Sequence, residues 1–351
     1  MANIYLDSAA MSPVLPIARK AFLDAPFGNP SSEHAVGVKA RNALENAREK
    51  IARLMECGED DRIIFTSTAT EAAALVSYSL ANHGCGIVAD EKEHHSILEN
   101  EGVFPYKPDG CWPRSCAAQM LANNETGFIN TERPDISYYQ YGWLCDATAA
   151  VGHIPVSFRE LGCAYMIFDS IKFGGVPGAA ALIAKQNAPL SPLIRGGGQE
   201  RGMRSGTENV PAICAMAAAL EWQTEHMDEN TQKIGALRAM MFKMLSEIPN
   251  HKWNTPFNKP CVPHILNISF DGVDAHALAM LLSKQGVMVS PGAACSNGLH
   301  EPSHVILAMF NDEERARSAV RISMSHENTA DEIVEASQKI KEAVAYLRSL
   351  S

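Results

Sequence analysis

Lys172 stands between a short apolar run and a glycine-rich turn, in Ala164-Tyr-Met-Ile-Phe-Asp-Ser-Ile-Lys172-Phe-Gly-Gly-Val-Pro-Gly178. Tyr165 to Phe168 reads as a buried strand. A lysine just past such a strand sits where open α/β sheets bind ligands, and partial desolvation there makes an amine nucleophilic. Cys295 lies in Ser290-Pro-Gly-Ala-Ala-Cys-Ser-Asn-Gly298, a loop of small residues, where a thiol is a better candidate for reaction than for core packing. Asp146 ends the apolar run Trp143 to Cys145, and either pairs with a ligand cation or caps the next turn. Thr68, Ala69 and Thr70 precede a helical pattern. Free N–H groups and the helix dipole suit a phosphate there, and Thr70 also suits an N-cap. In Glu93-His94-His95 an imidazole can stack on a flat ligand or shuttle protons, but adjacent side chains diverge too far to share one metal ion. Asn123 to Gly127 reads as a turn with amide donors, Asn124 among them. Arg321, inside the strand-like Ala319 to Ser323, either pairs with a carboxylate, a substrate's included, or lies on an edge strand in solvent.

The elements that must position these residues alternate between strand and helix. Strands are expected at Arg62–Thr66, Gly86–Asp90, Cys116–Ala122, Trp143–Asp146, Tyr165–Phe168 and Ala179–Ala184. Helices are expected over 35–56, Ala72–Leu80, from about His95, over 210–225 and 229–247, and over Ala330–Leu347. This alternation implies βαβ units and an α/β fold with a mainly parallel central sheet. Asn250 to Pro263, rich in Pro and Asn, reads as a linker. The expected division is a large domain over 15–248 and a smaller α/β domain formed by 1–14 and 249–351.

The bulk composition excludes several classes. With 46% hydrophobic and 20% charged residues, the 351-residue chain has the make-up of a soluble globular protein. A net charge of −10 argues against nucleic-acid binding through a basic surface. No apolar run approaches a membrane span. Met1 to Asp7 has neither a basic n-region nor an apolar h-region. Nine scattered cysteines, an odd number, suggest reduced thiols in the cytoplasm.

The ordered motifs carry a further reading. Tyr5-Leu-Asp-Ser-Ala-Ala10, Phe27-Gly-Asn-Pro-Ser-Ser32, Phe65-Thr-Ser-Thr-Ala-Thr-Glu71, Glu93-His94, Asn123-Asn-Glu-Thr-Gly127, Asp146-Ala-Thr148, Gly196-Gly-Gly-Gln-Glu-Arg-Gly-Met-Arg-Ser-Gly-Thr207 and Gly292-Ala-Ala-Cys295 follow one another along almost the whole chain. In this the chain resembles the NifS-type cysteine desulfurases, within the class-V aminotransferases of fold type I, which depend on pyridoxal 5'-phosphate (PLP). The resemblance implies that Lys172 carries PLP and moves protons at the substrate Cα, that Asp146 keeps the pyridine nitrogen protonated, and that His94 stacks on the ring. It places Ala69, Thr70 and Ser170 at the cofactor, with Asn124, and brings Thr207 to the phosphate of a partner subunit in a homodimer. Asn124 and Arg321 take the carboxylate of L-cysteine or a similar small amino acid. Cys295 takes the sulfur as a persulfide and passes it to a sulfur-acceptor protein, as in iron–sulfur cluster biogenesis, leaving alanine.

Three positions depart from the family pattern: Ala149 stands where Gln is usual, Ile171 where His is usual, and Asp169 where a phosphate-binding Ser is usual. A carboxylate about 4 Å from a phosphate charge costs roughly 4 kcal/mol per unit charge pair at an effective dielectric near 20. Asp169 is therefore expected to turn away, to be protonated, or to weaken cofactor binding. Only 30 positions separate His94 from Asn124, so a βα segment of the large domain is shortened there. The alternatives to a desulfurase are a related PLP enzyme, such as a selenocysteine lyase or an aminotransferase-like member, and a non-catalytic paralogue that keeps the fold.

Overall fold

The computed structural model describes residues 3–106, 114–292 and 301–350. The chain divides into two compact units. One comprises 13–121 and 132–226; the other comprises 1–12, 122–131 and 227–351.

The chain begins with β1 (Ile4–Tyr5), which belongs to the second unit. The first unit begins with α1 (Pro16–Asp24), α2 (Ala35–Leu54), β2 (Arg62–Thr66), α3 (Ala69–Asn82), β3 (Gly86–Ala89) and α4 (His95–Leu98). It continues with β4 (Val103–Pro105), β5 (Ser115–Met120), β6 (Trp143–Asp146), α5 (Phe158–Leu161), β7 (Tyr165–Asp169), β8 (Ala180–Ala184) and α6 (Val210–Glu225). Its seven strands form one sheet in the order β2-β8-β7-β6-β5-β3-β4. Only β8 runs against its neighbours, so β2, β3, β5, β6 and β7 all end at the same edge.

The two-residue period of a strand explains the layering. Along β7, Met166 and Phe168 enter a core with Leu44 and Ile51 of α2 and Ile213 and Leu220 of α6, while Tyr165 and Ile167 enter another with Leu75 and Leu80 of α3. A sheet buried on both faces requires strands that are apolar throughout, and Tyr165 to Phe168 is such a strand. Where a full helix was expected after β3, α4 is a single turn, and the short strand β4 follows it.

The second unit adds α7 (Met227–Leu245), β9 (His251–Trp253), β10 (Ile265–Phe270), α8 (Ala275–Lys284), β11 (Val287–Met288) and β12 (Ser290–Pro291). It ends with α9 (His304–Phe310), α10 (Glu313–Arg317), β13 (Ala319–Ser323) and α11 (Ala330–Leu350). An antiparallel sheet in the order β12-β13-β10-β9 packs one face against α7, α8 and α11 through Leu266, Ile268 and Phe270. The other face is buried yet polar, with Asn267, Ser269, Arg321 and Ser323.

Residues 227–248, which the sequence reading put with the large domain, pack here through Ile234, Leu237, Met241, Leu245 and Ile248. The expected linker likewise contains β9, whose Trp253 pairs with Ile268. Among the described residues no helix is long and apolar enough to cross a membrane.

Candidate active site

The edge at which the parallel strands end gathers the chemistry of the first unit. Asp146 is the last residue of β6 and pairs in register with Ile167 of the adjacent β7. Lys172 follows β7 in a one-turn 3-10 helix, Ser170–Lys172. Ala69 and Thr70 open α3 directly after β2, and His94 caps α4 after β3. Four loops at one sheet edge thus carry five of the expected residues, with Ser170 beside them.

The root of Lys172 is fixed by its backbone. The carbonyls of Lys172, Phe173 and Gly174 accept from His153 Nε2 at 2.9 Å, Gln223 Nε2 at 3.1 Å and the Leu15 N–H at 2.9 Å. The turn closes so tightly that a Cβ on Gly175 would lie 2.0 Å from Ser170 Oγ, so any larger residue at 175 would force the Ser170 hydroxyl to rotate away. Asp146 is buried, and its Oδ1 accepts from the Thr148 N–H at 2.9 Å. His94 Nδ1 accepts from the Ser96 N–H at 3.1 Å, which in the neutral ring leaves the proton on Nε2.

Thr68, and not Thr70, caps α3, its Oγ1 accepting from the Glu71 N–H at 3.2 Å. Thr70 is exposed one residue inside the helix. Glu71 is gripped by Arg204, Nε to Oε1 at 2.7 Å, and accepts from the Ser67 N–H at 2.9 Å. Burial pushes the Glu71 carboxyl up, but the Arg204 and Ser67 bonds outweigh it and hold the group below its ordinary value. Thr207 is exposed on the wall of a nearby cleft of about 190 Å³, with Ser67, Arg204, Glu208 and Asn209.

Asp169 does not turn away. Its Oδ2 accepts from the Ala69 N–H at 3.0 Å and its Oδ1 from the Ile171 N–H at 3.2 Å. Burial raises its pKa most; the two N–H bonds and Lys172 act against this, and Asp146 adds to it, for a net rise. Glu93, part of the Glu93-His94 motif, carries no role of its own in the sequence reading. It is buried, accepts from the Met120 N–H at 2.9 Å, and is pushed up to about 8 by burial, with Asp146 and Asp90 adding to the shift against that N–H bond and Lys92.

The remaining expected residues belong to the second unit. Arg321 is 2% exposed on β13, which lies between β12 and β10 and is not an edge strand. Its carboxylate partner comes from the chain: Nη2 meets Asp7 Oδ1 at 3.0 Å, and Nη1 donates to the Asn124 carbonyl at 2.9 Å. Arg321 Nε and Asn124 Oδ1 are buried with no hydrogen-bond partner among the described residues. The turn holding Asn124 is tied by Asn123 Oδ1, which accepts from the N–H groups of Glu125 and Thr126 at 3.0 and 2.9 Å. Cys295 lies outside the described residues.

The family described as aminotransferase class-V matches residues 4–100 and 115–335. A cysteine desulfurase of Enterobacter agglomerans is 34% identical, over all of this chain and 95% of its own. The chain belongs to the NifS-like cysteine desulfurases of the class-V aminotransferase family. The IscS-like cysteine desulfurase of Mycobacterium tuberculosis is 32% identical, over 98% of this chain and 97% of its own. The solved NifS-like protein of Rickettsia africae superposes with a TM-score of 0.87 at 28% identity, over 97% of this chain and 99% of its own.

The match to the class-V family breaks between 100 and 115, in the segment read as shortened. This family uses PLP, and the first unit fits that group: Lys172 follows one strand and Asp146 ends its neighbour, and Thr148 Oγ1 and Ser170 Oγ are buried without a partner among the described residues. At the phosphate end α3 offers its N-terminus, but the Ala69 N–H is already engaged by Asp169. Neither Ile171 nor Ala149 carries a side-chain donor.

Proposed function

We propose that the protein is a PLP-dependent cysteine desulfurase that converts L-cysteine to L-alanine and leaves the sulfur as a persulfide on Cys295 for an acceptor protein. The observation that carries this reading is the placement of Lys172 and Asp146 at adjacent strand ends within a chain similar to desulfurases from end to end. When bound, PLP supplies an electron sink for the pair released at the substrate Cα. Lys172 holds the cofactor and moves the proton between Cα and the neighbouring carbon. Asp146 keeps its second carboxylate oxygen for the pyridine N–H, and His94 stacks on the ring. Ala69, Thr70 and Ser170 hold the phosphate end.

In the second unit, Arg321 and Asn124 take the substrate carboxylate. Asp7 already neutralises one arm of Arg321 and fixes its direction, leaving Nε–H and the second N–H of each Nη for the ligand. The Cys295 thiolate attacks the substrate sulfur; the S–S bond forms as the Cβ–S bond breaks, the bonding pair stays on Cβ, and protonation there gives alanine. A small-residue loop lets that thiol reach first the substrate and then an acceptor. The protein is expected to act inside the cell, where thiols stay reduced.

Purified protein given PLP is expected to show an absorption band near the visible edge that borohydride removes, and, with a thiol reductant present to reduce the persulfide, to release sulfide and alanine from cysteine. A bound cofactor without sulfide release would move the reading to a related PLP enzyme. Absence of binding would favour the non-catalytic paralogue, for which the position of Asp169 speaks.

The assembly is expected to be a homodimer in which Thr207 reaches the phosphate of the partner subunit. Ile17, Phe22, Leu23, Phe27 and Val36 are all exposed on α1, the start of α2 and the loop between them, an apolar surface that needs a cover. Light scattering at micromolar concentration should give twice the chain mass; a monomer that still binds PLP tightly would remove the dimer from the reading.

A further inference from the structure

Asp169 is the last residue of β7, and its two carboxylate oxygens are spent on the first N–H of α3 and on the N–H of Ile171. Helix α3 has 14 residues, enough to present a positive terminus. The anion resident at that terminus belongs to the chain itself. A second N–H of the same turn, that of Glu71, is engaged by Thr68. We propose that Asp169 competes with the cofactor phosphate for the N-terminus of α3, so that the protein binds phosphorylated cofactor more weakly than its own Asp169→Asn variant, by a margin that widens as the pH rises. The proposal rests on the reading of the site as a PLP site and adds a device that this chain carries in place of a neutral phosphate ligand.

The charges around the carboxylate set the direction of the effect. Lys172, on the same loop, favours the ionised form, and Asp146, at the end of β6, disfavours it. Glu71, on the first turn of α3, is tied to Arg204, so that pair brings little net charge. Burial weighs most and favours the neutral acid. A phosphate arriving at the same N–H groups adds negative charge and raises the affinity of Asp169 for its proton further. Binding therefore takes up a proton. Below the window, Asp169 is already protonated and the phosphate meets no opposing charge. Above it, the carboxylate must be neutralised or displaced. The window lies above the ordinary carboxylate range, because Asp169 is already raised before the ligand arrives.

The test uses pyridoxamine 5'-phosphate, which Lys172 cannot capture covalently, with pyridoxamine as the control, and measures equilibrium binding by fluorescence to the full-length protein at several values from pH 4.5 to 8.5. Asparagine keeps a side-chain oxygen for the Ile171 N–H, so the turn before Lys172 retains its cap; thermal unfolding of the variant checks this. At the upper end of the range Asp169→Asn is expected to bind the phosphorylated compound roughly tenfold or more tightly than the natural chain, with the ratio shrinking toward unity as the pH falls. Titration of the free ligand is common to both proteins and cancels in the ratio. Pyridoxamine should not distinguish them. Equal affinities at every pH, a constant ratio, or weaker binding by the variant would overturn the competition while leaving the cofactor site in place. No binding by either protein would overturn the site reading and the competition with it.

Discussion

Lys172→Ala is expected to abolish both the absorption of bound PLP and the release of sulfide from cysteine, while Cys295→Ala abolishes sulfide release alone. The two results together separate the carrier of the cofactor from the acceptor of the sulfur. Removing the amine removes the group proposed to hold the cofactor and move the proton, and loss of such a group alone costs roughly 10²–10⁴-fold in rate. The variant should still fold, because the bonds from His153, Gln223 and Leu15 are made to backbone carbonyls that alanine retains. Cys295→Ala leaves every group at the edge of the parallel strands untouched, so its spectrum should match that of the natural chain. Full sulfide production by Cys295→Ala would end the persulfide mechanism. A cofactor band that survives in Lys172→Ala would end the assignment of Lys172.

Glu200→Ala is expected to lower stability by about 3–5 kcal/mol in urea unfolding. The Glu200 carboxylate is buried and meets Arg48 twice, Oε1 to Nη2 at 2.8 Å and Oε2 to Nη1 at 2.9 Å. Oε2 also accepts from the Phe65 N–H at 2.8 Å. Arg48 in turn donates to the Ile63 carbonyl at 2.7 Å and lies 4.6 Å over the Phe65 ring. Alanine would leave the buried guanidinium with only the more exposed Glu45, 3.2 Å from its Nε, as counter-charge, and a strand N–H without an acceptor. It would also leave the strain of Glu200, whose φ of 48° lies in the left-handed region. The segment carrying Glu200 continues to Arg204, which holds Ser67 and Glu71 at the start of α3, so cofactor affinity should fall together with stability. A loss below about 1 kcal/mol would show that surrounding groups or water replace the carboxylate.

The main sheet was legible because its strands are buried on both faces and read as uninterrupted apolar runs; Arg62–Thr66 and Trp143–Asp146 fall where the sequence puts them. The antiparallel course of β8 was not, since a strand's direction is set by its partners. In Asn250–Pro263 the abundant Pro and Asn hid β9, whose three residues hold through pairing with β10 and not through propensity. Sequence exposed the conflict at Asp169 but not its resolution, which depends on an N–H a hundred positions away. Arg321 was left between core and solvent because burial of one charged residue follows from the place of its strand in the sheet. Glu93, His153, Gln223 and Glu200 carry no local signal: each acts on a backbone group or a charge distant along the chain.

Three consecutive carbonyls held from three separate directions make the peptide beneath Lys172 a fixed mounting. An amine on such a mounting moves by rotation about its own methylenes, on the picosecond-to-nanosecond scale of side-chain rotamers, and not on the far slower scale of loop rearrangement. In the proposed reaction the lysine would then visit two carbon atoms in turn without any part of the backbone having to wait for it.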